Sequence, residues 1–135
     1  MEVNCIFCKI VKNEIPSYKV YEDDLFLAFL DIKPLNPGNS LLISKDHYRW
    51  VYEVPDFGAY WQVAQKIALA TIKSLNADSI SFVTLGHDVP HAHIRIIPRF
   101  QNDSHADSID FKATQEINSD QMAKIAQKIA LQIIN

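Results

Sequence analysis

The links between strand-like segments are the feature that most constrains this chain. Residues 18–22 and 25–30 both read as strands, and the acidic turn Glu22-Asp23-Asp24 joins them. A parallel pair needs a crossover of about a dozen residues or more, so strands joined this closely pair antiparallel. Pro34, Pro37 and Gly38 then break the chain, and residues 39–44 form a third strand. Pro55-Asp56 opens a long helix, where Phe57, Trp61, Ala64, Ala68, Ile72 and Leu75 recur at the helical period. Residues 79–84 and 91–97 supply two more strands, and the polar segment 101–116 reads as a surface loop. Asn118 or Ser119 caps a last helix striped by Met122, Ile125, Ile129 and Ile133. Residues 5–13 form a short helix or knuckle at the start. This order predicts an α+β fold in one domain over residues 1–135, an antiparallel sheet with helices packed on it. The apolar face of residues 56–74 suits the core and a dimer interface equally.

Composition narrows the function. With 48% hydrophobic and 21% charged residues, the chain can bury a core and is not a disordered tail. Its 13 Lys+Arg against 16 Asp+Glu leave a net charge of −3, which argues against a nucleic-acid coat built on phosphate-neutralising cations. No apolar run approaches the roughly 20 residues of a membrane span. The first ten residues, with Glu2 and Lys9, do not read as a signal peptide. A cytoplasmic protein is therefore expected. Cys5 and Cys8 are the only cysteines and sit three apart, which excludes a disulfide framework.

Two motifs carry chemistry. In Pro90-His91-Ala92-His93-Ile94-Arg95-Ile96-Ile97-Pro98-Arg99, strand alternation places His91, His93 and Arg95 on one face. Ala92, Ile94 and Ile96 go to the core on the other. The first set is expected on the accessible face, as a metal pair, surface histidines or an active site. Cys5-Ile6-Phe7-Cys8 is a C-x-x-C, which in a reducing compartment is half a zinc site or a redox pair. A thioredoxin-like motif would follow a strand, and only four residues precede Cys5, so zinc is favoured. Two more ligands are then required, from His47, His87, His91, His93 and His105. A zinc deaminase is excluded, because His91-Ala92-His93 lacks the glutamate of its H-x-E motif.

Taken together, CIFCKI, EIPSYKVYEDDLFLAFLDIKPLNPGNSLLISKDH and PHAHIRIIPR resemble the histidine-triad (HIT) family in its Hint-like branch, over residues 5 to about 100. The resemblance implies a five-stranded antiparallel sheet with a long central helix and a C-terminal helix, usually dimeric through the long helix. It implies an enzyme that hydrolyses or transfers at the α-phosphorus of purine nucleotides, of the dinucleoside polyphosphate or nucleoside phosphoramidate type. His93 matches the nucleophile, which would form a nucleotidyl-histidine that water cleaves. The carbonyl of His91 would hold its other ring nitrogen. Cys5, Cys8, His47 and His91 match a zinc set, closed and therefore structural. Asp31 matches the aspartate that accepts from the ribose hydroxyls. Ile6, Phe7, Ile10, Phe29 and Ile32 match the apolar slot for the base, and Asn39, Asp88 and Val89 complete the nucleotide-binding set.

The chain also departs from the family pattern. Arg95 replaces the third histidine, Asp88 stands where Ser or Thr commonly contacts phosphate, Asn39 takes a position often held by histidine, and the loop Leu85-Gly86-His87-Asp88 is short. Arg95 would bind phosphate as a permanent cation but would not protonate a leaving group, which predicts a preference for leaving groups needing little protonation. The alternatives are a nucleotide binder with little turnover, and an Arg95 that folds onto Asp88.

Overall fold

The structure, a computed structural model, describes residues 4–133. Its elements run in the order α1 (Ile6–Val11), β1 (Lys19–Glu22), β2 (Phe26–Leu30), β3 (Ser40–Ser44), α2 (Phe57–Leu75), β4 (Ser79–Val83), β5 (His93–Arg99) and α3 (Ser119–Gln132), with a 3₁₀ turn at Val51–Glu53. The five strands form one sheet in the order β1-β2-β3-β5-β4, and every neighbouring pair is antiparallel. The α+β expectation holds, including the tight link from β1 to β2. In that turn the Asp23 carboxylate accepts from the backbone N–H groups of Leu25 and Phe26.

The central strands are covered on both faces, which is why β2 reads as an unbroken apolar run and β3 as three apolar residues, Leu41, Leu42 and Ile43, between serines. Phe26, Ala28, Leu30, Leu42, Ile94 and Ile96 face α2 and α3, whose Tyr60, Val63, Ala64, Ile67, Met122, Ala126 and Ile129 complete the main core. Phe26 stacks on Tyr60, with ring centroids 5.1 Å apart, and the Tyr60 hydroxyl donates to the Leu42 carbonyl at 2.8 Å. On the opposite face Leu27, Phe29, Leu41 and Ile43 pack against Cys5, Phe7, Cys8 and Ile10 of the α1 segment. The turn at Pro37-Gly38 lies against the end of α2. Gly38 has φ +89°, and a Cβ there would strike the Leu75 side chain.

Three expectations change. The last strand starts at His93 and runs to Arg99, because residues 89–91 turn instead: His91 N–H bonds to the Val89 carbonyl. The buried face of α2 is centred on Tyr60, Val63, Ala64, Ile67 and Thr71, while Phe57 is 44% exposed and Trp61 half-buried at its edge. The segment 101–116 is not wholly a surface loop. The Asp103 side chain is only 5% exposed, accepts twice from Arg99, and also takes bonds from Asn36, Phe100 N–H and His105 N–H. These donors, Arg99 foremost, hold its carboxyl far below the usual range. His105 is buried too, its Nε2 donating to the Leu35 carbonyl and its Nδ1 accepting from Asp110 N–H. The cap of α3 is as expected, with Asn118 Oδ1 accepting from Gln121 N–H.

Candidate active site and metal cluster

Helix α1 lies across the face of β5 that carries the histidines. His91 and His93 are therefore 0% and 1% exposed, which overturns the accessible face expected for them. Alternation still decides which residues share that face. His93 pairs in register with Ile43 and Arg95 with Leu41, on the side opposite Ile94 and Ile96. Phe7 meets both imidazoles edge-on, at 5.8 Å from His91 and 5.2 Å from His93.

The spacing of C-x-x-C does local work. Cys5 caps α1, its Sγ accepting from Cys8 N–H at 3.2 Å, so both sulfurs lie on one side of the first turn. His91 Nδ1 lies 3.2 Å from Cys5 Sγ and 3.5 Å from Cys8 Sγ, and His47 Nδ1 lies 3.2 Å from Cys8 Sγ. The four ligand atoms all lie within 4.8 Å of one another. Tetrahedral Zn–S and Zn–N bonds imply S···N edges of roughly 3.5 Å, close to these separations. The Nε2–H of His91 donates to the Ser44 carbonyl at 2.6 Å, which leaves Nδ1 as its ligand atom. Burial pushes the His91 pKa down to about 4, so the ring is neutral, as a metal ligand must be. Among the described residues this cluster could hold a metal ion, and its members are the four residues expected for one.

Two residues further along, His93 Nδ1 donates to the His91 carbonyl at 2.7 Å. Nε2 is then the acceptor nitrogen, and it faces a cleft of about 720 Å³, open mouth included. Burial lowers the His93 pKa below the ordinary value, opposed by the bond to His91, so this ring is also neutral at neutral pH. The cleft brings together Ile6, Phe7, Ile10, Phe29, Asp31, Ile32, Asp88, Val89, His93 and Arg95, which come from three separate stretches and which the family resemblance implied. Phe7, Ile10 and Phe29 are buried and form its floor. Ile6 and Ile32 stand 45% and 74% exposed at its rim. Asp31 accepts from Lys33 N–H at 2.9 Å, yet desolvation raises its pKa above the usual carboxylate value.

Asn39 does not line the cleft. It is fully buried, its Oδ1 accepts from Leu35 N–H, and its Nδ2 donates to the Ser40 and Ile96 carbonyls. It ties the 34–39 turn to β5. Arg95 does fold onto Asp88: its Nη2 lies 2.6 Å from Asp88 Oδ2, while Asp88 Oδ1 lies 3.7 Å from His93 Nε2. Sequence reading missed Ile15, Pro16, Ser17 and Leu41 in the cleft wall, and Phe111, whose ring centroid is 5.7 Å from the Arg95 guanidinium. Leu41 was legible in principle, since it alternates in step with Ile43. The others sit in irregular segments with no period.

Fold and site together define a small α+β protein with a mostly apolar cleft, a buried histidine at its base and a Cys₂His₂ cluster behind it. A model of the HIT domain matches residues 12–102, and the chain belongs to the HIT family. Adenosine 5'-monophosphoramidase HNT1 of Saccharomyces cerevisiae is 32% identical over 134 residues, covering 96% of this chain and 82% of its own. Among solved structures, a HIT-like protein from Bartonella henselae superposes with a TM-score of 0.84 at 32% identity, covering 98% of each chain. A zinc-bound histidine triad family protein from Mycobacterium smegmatis superposes with a TM-score of 0.79 at 28% identity, covering 96% of this chain and 93% of that one.

Proposed function

We propose that this HIT enzyme binds a purine ribonucleotide in the cleft and that His93 Nε2 attacks its α-phosphorus, forming a nucleotidyl-histidine that water cleaves. The observation that carries this reading is the tautomer of His93. Its Nδ1–H is held by the His91 carbonyl, so a neutral ring turns its lone pair on Nε2 into the cleft. The Asp31 carboxylate suits a vicinal diol because it is acceptor-only, and the apolar floor and rim suit a base without strong selection among bases. Val89 and Asp88 flank the phosphate end, and the Arg95 guanidinium would stabilise the charge that develops there. The phosphoramidase name of the yeast relative supports nucleoside phosphoramidates as a substrate class.

Cys5, Cys8, His47 and His91 would hold a structural zinc. Four protein ligands leave no open position for substrate. The ion would tie α1 to the strand segment bearing the nucleophile. Reduced thiols of this kind fit a cytoplasmic setting. Phe57, Trp61 and Phe82, in edge contact and partly exposed along α2 and β4, would bury against a second copy in a homodimer. The ion pair between Arg95 and Asp88 favours a second reading, a nucleotide binder with slow turnover, because it engages the one guanidinium beside the nucleophile.

The test is intact mass after rapid quenching with an adenylylated substrate. One adenylyl group should appear on the wild type, map to His93, and be absent from His93→Ala. Turnover without any adduct would exclude the nucleotidyl-histidine route, and nucleotide binding without turnover would select the second reading.

A further inference from the structure

Resting on that reading, we propose that Asp88 is the proton carrier of the reaction, giving a proton to the leaving amine and taking one from the attacking water. The position where the motif ends is occupied by Arg95, and a guanidinium keeps its protons at any physiological pH. His93 is fully engaged: Nδ1–H is held by the His91 carbonyl, and Nε2 makes the bond to phosphorus. Asp31 belongs to the wall after β2 and is held by Lys33 N–H. Asp88 remains. Its Oδ1 is 3.7 Å from His93 Nε2 and accepts from Val89 N–H at 3.0 Å, and its side chain is 52% exposed at the cleft, where a leaving group departs.

Charged and titratable groups surround it. His93 and Arg95 face it from β5, Asp31 faces it across the cleft, and His87 precedes it in its own loop. Without nucleotide, Arg95 Nη2 pairs with Asp88 Oδ2. An incoming phosphate competes for that guanidinium, whose Nε is buried without a hydrogen-bond partner among the described residues. Asp88 then faces the phosphate without its cation, and the proton it carries in this scheme is taken up from solvent. As Nε2 bonds to the α-phosphorus of a phosphoramidate, the P–N bond breaks, its electron pair stays on nitrogen, and the amine takes the proton of Asp88. The carboxylate next removes a proton from water as the water oxygen bonds to phosphorus. The bond from phosphorus to Nε2 breaks, its pair returns to the imidazole, and Asp88 is an acid again. The sum is phosphoramidate plus water giving nucleoside monophosphate plus amine. The leaving-group preference inferred from Arg95 alone is thereby replaced by tolerance of amines.

Two measurements on the full chain test this. AMP binding by calorimetry in buffers of different ionisation heat should show proton uptake in the wild type and less in Asp88→Asn. In single turnovers, adduct formation by Asp88→Asn should slow on adenosine phosphoramidate relative to a nitrophenyl ester of AMP, shifting the ratio of the two rates by at least about 100-fold. The adduct from the ester should persist, and Asp88→Glu should recover part of the phosphoramidate rate. If the wild type forms the adduct but Asp88→Asn slows both substrates alike, or neither, Asp88 is not the proton carrier. A wild type that forms no adduct with either substrate removes the parent reading and this one with it.

Discussion

His91 and His93 are two residues apart, equally buried, both neutral, and both held by a backbone carbonyl, yet they present opposite ring nitrogens. His91 donates through Nε2 to Ser44 and turns Nδ1 to the sulfurs of Cys5 and Cys8. His93 donates through Nδ1 to His91 and turns Nε2 to the cleft. The carbonyl in reach of each ring fixes the tautomer, and the tautomer fixes the chemistry on offer. The surroundings differ in the same sense. Around His91, donors and acceptors satisfy one another, as suits a structural cluster. Around His93, Ile32 and Ile6 are exposed and Asp31 is desolvated, a set of costs that a ligand would relieve.

The largest effect should come from exchanging the two roles. His93→Ala should lower turnover at least about 10⁴-fold while leaving AMP affinity within a few fold, because the nucleophile acts in bond making and the walls supply ground-state binding. His91→Ala should lower both metal content and thermal stability. A His93→Ala variant that keeps most of its turnover breaks the distinction.

Metal loss ranks next. Cys8→Ser should lose about one zinc per chain and lower the melting temperature by about 10 °C or more, since structural zinc contributes several kcal/mol of folding free energy. The His93 environment should shift with it, because the His91 carbonyl that holds Nδ1 lies on the same residue as a ligand. Protein prepared with zinc and reductant, yet metal-free by elemental analysis and as stable as Cys8→Ser, would show that the cluster is only a thiol-imidazole contact.

The fold was legible because its signals are local, while most of the cleft residues came from the resemblance of three separated motifs to the HIT family. Short turns forced antiparallel pairing, Pro and Gly marked the breaks, and alternation sorted His93 and Arg95 from Ile94 and Ile96. What failed were properties set by what packs on top. Exposure of His91 and His93 was misjudged because six residues of α1, distant in sequence, roof over that face. Asn39 was placed by its position in a pattern, while its amide is spent on the backbone of Leu35, Ser40 and Ile96. The contact of Phe111 with Arg95 depends on a segment whose path is set by the bonds of Asp103 and of buried His105. No periodicity announces such a path.

The smallest effect sharpens the comparison most, because it separates fitness for ligand from fitness for folding. Asp31 has its pKa raised in the native state, desolvation outweighing the bond from Lys33 N–H and the nearby Arg95. The folded protein therefore binds this proton more tightly than the unfolded chain does. Above the folded pKa the carboxylate costs stability, and the cost is relieved as pH falls through that value. Asp31→Asn, neutral and nearly the same shape, should thus melt roughly 1–3 °C above wild type at pH 7. The gap should close as pH falls from the raised value toward the ordinary carboxylate range, where both states of the wild type become protonated. The same variant should bind AMP roughly tenfold more weakly, the order expected for losing a charged hydrogen-bond acceptor, and should affect 2'-deoxy-AMP less. Melting curves across pH and a pair of titrations suffice. A variant less stable than wild type at pH 7, or a stability difference that ignores pH, would place Asp31 with the self-satisfied groups around His91 rather than with the unsatisfied ones facing the cleft.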